Sequence, residues 1–121
     1  MPFVNLTPHT INIVGRTAIS IGPSGRSLRV SQEMVPVNQG VSLSDSIDLY
    51  RAKYGNLELI DNDTKAVVSS DLPPVKGDTI YIVSGQCLEA LKGVRDDFAA
   101  PGELVRDDKG QPVGCKGLRI N

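Results

Sequence analysis

The run Thr79-Ile80-Tyr81-Ile82-Val83 is rich in β-branched residues and passes directly into Ser84, Gly85 and a short apolar stretch that stops at Gly93. Branching at Cβ restricts χ1 and favours a pleated strand, so the junction reads as a strand feeding a helix. Ser84 suits the N-cap, because its hydroxyl can accept from an N–H of the first turn. The first-turn N–H groups of Gly85, Gln86 and Cys87 lack intrahelical partners, and the helix dipole adds positive potential beside them. Arg95-Asp96-Asp97 follows shortly after. This corner is where a small anion is expected to bind, although it specifies no reaction.

Elsewhere the chain reads as short strands punctuated by glycine and proline. Val4 and Leu6, Ile11 and Ile13, and Ile19 and Ile21 alternate with other residues at period two, the mark of half-buried strands. Gly22-Pro23-Ser24-Gly25 is a turn, since Pro23 presets φ and Gly25 accepts positive φ; it leads to a strand containing Leu28 and Val30. Ser42 to Lys53 reads equally as a short helix or a strand, and Asp61-Asn62-Asp63 as a loop tip. Leu72-Pro73-Pro74 imposes an extended approach to the run at 79–83, with Lys76-Gly77-Asp78 turning just before it. Pro101-Gly102 opens a hairpin that turns at Asp107-Asp108-Lys109-Gly110 and returns from Val113 to Ile120. The expected architecture is α+β: a mainly antiparallel sheet or a small β-barrel with one short helix.

At 121 residues the chain is one domain, 1–121, with no linker or repeat to divide it. Thirteen basic against fourteen acidic residues leave a net charge of −1, without the positive field of a duplex nucleic-acid binder. No apolar run approaches the roughly 20 residues of a membrane span, and Met1-Pro2-Phe3-Val4-Asn5 does not resemble a signal peptide. A cytoplasmic protein is expected. Cys87 and Cys115 lack metal-ligand spacing and read as reduced and buried. No metal, cofactor or catalytic set is expected.

Each candidate residue carries two readings. His9, the only histidine, lies in Asn5-Leu6-Thr7-Pro8-His9-Thr10. It suits a ligand contact or a general base, or it belongs with Asn5 to a bend that satisfies backbone groups. Ser84 is an N-cap or an anion contact; Gly85 permits close approach of a ligand or tight packing. Arg95 clamps a phosphate or is neutralised by its own neighbours. Asp96 and Asp97 are adjacent, so in an extended chain they point to opposite faces and chelate one ion poorly. Arg26 and Arg29 are spaced for opposite strand faces, and Ser24-Gly25-Arg26 lacks the lysine and helix of a P-loop. Tyr50, Tyr54 and Tyr81 are able to stack on a base, Tyr81 being more at home in the sheet.

Val4-Asn5-Leu6-Thr7-Pro8-His9, Pro23-Ser24-Gly25, Tyr81-Ile82-Val83-Ser84, Arg95-Asp96-Asp97 and Pro101-Gly102-Glu103-Leu104-Val105-Arg106-Asp107 with Gly114-Cys115 carry a resemblance. In order and spacing the blocks resemble a group of small phage, prophage and bacterial proteins of unassigned function. Gly22 stands where that pattern has a second proline, and residues 32–72 match little. The resemblance implies a phage context and the host cytoplasm. Small phage proteins without a catalytic set include anti-defence sponges that sequester cyclic dinucleotides or ADP-ribose derivatives. By that analogy the chain is a non-enzymatic binder of a phosphorylated, nucleotide-derived ligand. Ser84, Gly85, Gln86 and Arg95, with Asp97 beside it, would surround the phosphates, and Asn5, Thr7 and His9 or a tyrosine the base or ribose. Open sheet edges would favour a homo-oligomer. Two alternatives stand beside it: a phage structural or partner-binding module, and a hydrolase of phosphodiester or glycosidic bonds using His9 with Asp96 or Asp97.

Overall fold

The computed structural model describes residues 3–15, 17–36 and 50–121. In chain order the elements are β1 (Phe3–Asn5), β2 (Ile11–Ile13), β3 (Ile19–Ile21), β4 (Arg26–Pro36), β5 (Tyr50–Asp61), β6 (Val67–Ser69), β7 (Ile80–Ile82), α1 (Gly85–Ala90), β8 (Phe98–Pro101), β9 (Leu104–Arg106), β10 (Pro112–Cys115) and β11 (Leu118–Arg119). The protein is mainly β with one short helix among the described residues.

The first sheet has the order β1-β7-β8-β11. β7 runs parallel to both β1 and β8, whereas β11 is antiparallel to β8. Its two parallel pairs make this sheet mixed, although across the described strands antiparallel pairs outnumber parallel ones, as expected. The reason is connectivity: α1 carries the chain from β7 across to β8, a crossover that returns it in the same direction. Parallel pairs are usually covered by packed structure, and this one is. α1 packs against β8 and β4, and the core gathers Leu6, Leu28, Leu59, Tyr81, Val83, Cys87, Leu88, Leu91, Phe98 and Ala100.

A second sheet has the order β3-β2-β10-β9, and a third β4-β5-β6. None of them closes into a barrel, so the small barrel expected as one option is not formed. β10 belongs to the second sheet and β11 to the first, and between them Gly117, with a φ of +105°, turns the chain out of one sheet into the other. The returning segment expected over 113–120 is therefore two strands.

β4 and β5 form a long antiparallel ribbon from Arg26↔Asp61 to Pro36↔Tyr50, with a register shift between Val30 and Gln32. The strand alternative for Ser42 to Lys53 holds from Tyr50 onward; residues 42–49 lie outside the described residues. The turn at 62–64 matches the expected loop tip, and Gly25 takes φ +98° in the turn after β3.

Candidate functional site

α1 begins as its sequence implies. Ser84 is extended (φ −68°, ψ 160°), and its Oγ accepts from the Cys87 N–H at 3.3 Å. One first-turn donor is thereby used inside the chain. Gly85 lies close to Arg119: a Cβ there would stand 2.9 Å from Arg119 Nη2, so the guanidinium nearest the helix start belongs to β11. The sequence pattern pointed instead to Arg95.

A cleft of about 220 Å³ opens beside this end of the helix, walled by Ser84, Gln86 and Cys87. Pro8, Leu28, Val30 and Ile60 give it an apolar side. Its polar rim comes from the ribbon and the turn after β5: Ser27, Arg29, Asn62 and Lys65. That turn is ordered by Asp61, whose Oδ1 accepts from the N–H groups of Asp63 (2.8 Å) and Thr64 (3.0 Å). The two N–H donors hold the Asp61 carboxyl below its ordinary range. Lys65 closes the turn in the left-handed region at φ 62°, and its N–H donates to Asp61 O at 2.8 Å. Ser27 Oγ donates to Asn62 Oδ1, tying the turn to β4. Arg29 pairs with Glu58 at 2.8 Å, whereas Lys65 makes no ion pair among the described residues. Cys87 Sγ donates to Leu28 O at 3.3 Å. Burial pushes its thiol up, which keeps it protonated and unsuited to nucleophilic attack.

Arg95 is not on this cleft. It follows the opposite end of α1 and lines a different, broader cavity with Lys92, Gly93 and Asp96. Its Nε donates to Asp97 Oδ1 at 2.9 Å and its Nη2 to Asp97 Oδ2 at 2.5 Å, a bidentate pair. Nη1 donates to Pro73 O at 2.5 Å, and the guanidinium lies 4.9 Å from the Phe98 ring centroid. Hydrogen bonding from Arg95 holds the Asp97 carboxyl below its ordinary range, and the same pairing raises Arg95. The pair fixes the approach of Pro73-Pro74 to the core, with Tyr81 OH donating to Pro74 O at 2.7 Å.

Asn5, Thr7 and His9 are brought together, as a backbone knot. Asn5 is 1% exposed; its Nδ2 donates to His9 O (2.7 Å) and Ile21 O (3.0 Å). Its Oδ1 accepts from Thr7 N (3.0 Å) and Thr7 Oγ1 (2.6 Å). All of the donors and acceptors quoted are engaged within the chain, so Asn5 and Thr7 join β1, the bend and the end of β3. The His9 carbonyl accepts from Asn5 and Thr7, while the residue itself is exposed. Of this group, only the neighbouring Pro8 lines the cleft.

The structure thus places Ser84, Gly85 and Gln86 at one end of α1, Arg95 and Asp97 beyond the other, and Asn5 and Thr7 beneath the bend. Lys65, Asn62, Ser27 and Arg119 were not singled out from the sequence. Asn62 had a signal in the Asp61-Asn62-Asp63 turn, with Lys65 just beyond it, but that marks a loop without indicating what it faces; nothing local pointed to Ser27 or Arg119. Among the described residues, no group of histidine, cysteine and carboxylate side chains is arranged to hold a metal ion. Comparison with known proteins gives no match: no family model, no curated protein and no solved structure aligns with the chain.

Proposed function

We propose that the protein is a non-enzymatic binder of a small phosphorylated, nucleotide-derived ligand, acting as an anti-defence sponge. The observation that carries this reading is the cleft beside the start of α1. It combines an apolar side able to take a base or ribose with a rim bearing Lys65 and Arg29, and Arg119 stands near Gly85. Lys65 supplies a cation that no described carboxylate neutralises, which suits a phosphate. Sequestration requires affinity without turnover, so the proposal needs no nucleophile.

Size narrows the ligand. Pockets for drug-sized molecules run to about 300–1,000 Å³, and this cleft is about 220 Å³. A fragment on the scale of a ribose phosphate suits that volume, and a larger ligand would extend beyond the cleft. A ligand related to ADP-ribose would seat one end here and extend into solvent.

Isothermal titration of the protein against ADP-ribose, nucleoside monophosphates and cyclic dinucleotides tests the proposal. Saturable binding of a compact phosphate, weakened at least about tenfold in Lys65→Ala and with ligand recovered intact after denaturation, supports it. No heat with any member overturns it, and so does recovery of a cleaved product.

One observation favours the partner-binding module as a second reading. The far part of the β4–β5 ribbon exposes Met34 (61%) and Tyr50 (55%). The hydrolase alternative loses Asp97 as a free base, since Arg95 occupies both of its oxygens.

A further inference from the structure

The charge lining the cleft beside α1 is one-sided. Arg29 and Lys65 stand on it, and no aspartate or glutamate among the described residues does. In a chain with fourteen acidic residues and a net charge of −1, that separation is local and not a consequence of composition. The neutral side chains add donors to the two cations. Ser27 Oγ donates to Asn62 Oδ1, which leaves the Nδ2 hydrogens of Asn62 without a partner among the described residues. Ser84 Oγ accepts from the Cys87 N–H and keeps its own hydrogen to donate.

Lys65 is also the one non-glycine residue at positive φ among the described residues. Glycine and asparagine take that conformation at least cost, so either would serve the turn better. The backbone gives no reason for a lysine there. Its ammonium gives one, since it lines the cleft and makes no ion pair among the described residues. Arg29 is held differently: its Nη2 donates to Glu58 Oε2 at 2.8 Å, with side chains 52% and 33% exposed. That contact uses one of the five N–H donors of a guanidinium and is open to water, so an anion entering the cleft is able to share Arg29 or take it over.

Resting on the binder reading above, we propose that the cleft takes a terminal phosphate monoester as its dianion, held between Lys65 and Arg29, and discriminates against phosphodiesters. Two cations with no lining carboxylate match a phosphoryl group that carries two charges and three acceptor oxygens. A diester carries one charge and has one of those oxygens blocked. The singly protonated monoester is a poorer guest as well, because its P–OH is a donor facing donors. Glu58 is the counterweight: its carboxylate occupies Arg29 while the cleft is empty and repels any anion that enters. The cleft thereby ranks nucleoside monophosphates and sugar phosphates above cyclic dinucleotides and above ADP-ribose, whose phosphoryl groups carry one charge each.

Isothermal titration of the full chain with adenosine monophosphate and with its phosphate methyl ester tests the proposal, since the two ligands differ chiefly in the second charge. The monoester is expected to bind at least about tenfold tighter. Its affinity should rise about fourfold as pH is raised through the second phosphate ionisation near about 6, while that of the methyl ester does not rise. Around the cleft, Arg29, Lys65, Glu58, Asp61 and Asp63 are not of types that titrate in that interval, burial keeps the Cys87 thiol protonated, and a histidine such as His9 beside Pro8 loses positive charge there and acts in the opposite sense. Lys65→Asn, which suits the left-handed turn, is expected to weaken the monoester at least about tenfold with no loss of thermal stability. Glu58→Gln tightens it about two- to fivefold, whereas Glu103→Gln, which removes a carboxylate paired with Lys116 outside the cleft, leaves it unchanged. No heat from either ligand or from ribose 5-phosphate removes the binder reading itself. Equal affinity for monoester and methyl ester, a monoester affinity flat with pH, a Lys65→Asn chain that binds as before or loses stability, or a Glu58→Gln chain no tighter than Glu103→Gln overturns the phosphomonoester assignment and leaves the binder reading standing.

Discussion

The helix-covered sheet β1-β7-β8-β11 and the outer half of the β4–β5 ribbon are built from similar residues and have opposite fates. In the first, Ile82, Val83, Leu88, Leu91 and Ala100 are completely buried. In the second, Met34, Val35 and Tyr50 all lie exposed. The difference is the number of layers. β7 is flanked by strands on both sides and covered by the helix that follows it, whereas beyond Leu57 the ribbon has no third strand among the described residues. The division falls at Gly55, where a Cβ would lie within 2.0 Å of Ser31 Oγ, next to the register shift. Inward of that point, Leu28, Leu59 and Ile60 join the interior; outward, an isolated two-stranded ribbon gains little from its own pairing.

The contrast is broken most severely from the buried side. Leu88 is fully buried on α1 and packs in the cluster that joins the helix to β4 and β8. Leu88→Ala removes its methyl groups and leaves a cavity that the surrounding strands cannot close, at a cost of about 2–5 kcal/mol. Urea denaturation is expected to show the unfolding free energy falling by that amount, through a lower midpoint with little change in slope. A loss under about 1 kcal/mol would mean that the helix is not held as tightly as its burial indicates.

The Arg95–Asp97 pair, at the margin of the same core, gives an intermediate effect. Its side chains are 17% and 13% exposed, so the pair is largely shielded from salt. Asp97 is held below its ordinary range by Arg95. The stability it contributes is therefore fully present above the unfolded carboxylate value, near about pH 3.9, and is lost as pH falls through the depressed folded value. Asp97→Asn keeps the shape and removes the charge. It is expected to cost about 1.5–3 kcal/mol at neutral pH, with the difference from wild type shrinking as both are taken into acid. Chemical denaturation at a series of pH values checks this, and a difference that holds constant through the acid range would show that the charge pair is not its source.

What the sequence revealed follows the same division. The strand into Ser84 and α1 was legible because its determinants are local: branched side chains, a capping hydroxyl, and Gly93, which takes φ +80° just past the helix. Turns at Gly25 and at 107–110 were legible for the same reason. Parallel pairing of β1 with β7 was not, because its partners are more than seventy positions apart and nothing in Phe3-Val4-Asn5 marks strand direction. β8 and β6 escaped notice as well. Phe98-Ala99-Ala100-Pro101 is apolar without alternation, since all of its first three residues are buried. The proposed site divides along these lines too. Ser84 and Gly85 were visible through helix-capping chemistry, whereas Lys65, Asn62 and Arg119 reach the same corner through tertiary structure. Conversely, Asn5 and Arg95 each also engage a carbonyl far along the chain, Ile21 O and Pro73 O, which the sequence does not show, whereas the Asn5–Thr7 and Arg95–Asp97 contacts are local.

The smallest effect is expected at the exposed end of the comparison. Met34 and Tyr50 stand on one face of the outer ribbon by register, through the pairs Met34↔Ala52 and Pro36↔Tyr50, while Glu33↔Lys53 and Val35↔Arg51 occupy the other. Met34→Ala deletes a side chain that is 61% exposed, so little apolar area is returned to water and no cavity forms. Global stability should change by less than about 0.5 kcal/mol. Amide exchange in residues 31–36 and 50–56 is expected to be fast in both proteins, well below the protection of β7 and β8, because that part of the ribbon opens without disturbing the core. If Met34→Ala instead destabilised the whole chain by more than about 1 kcal/mol, the ribbon would have to be packed against something in solution. The two regions would then differ in what covers them rather than in whether they are covered.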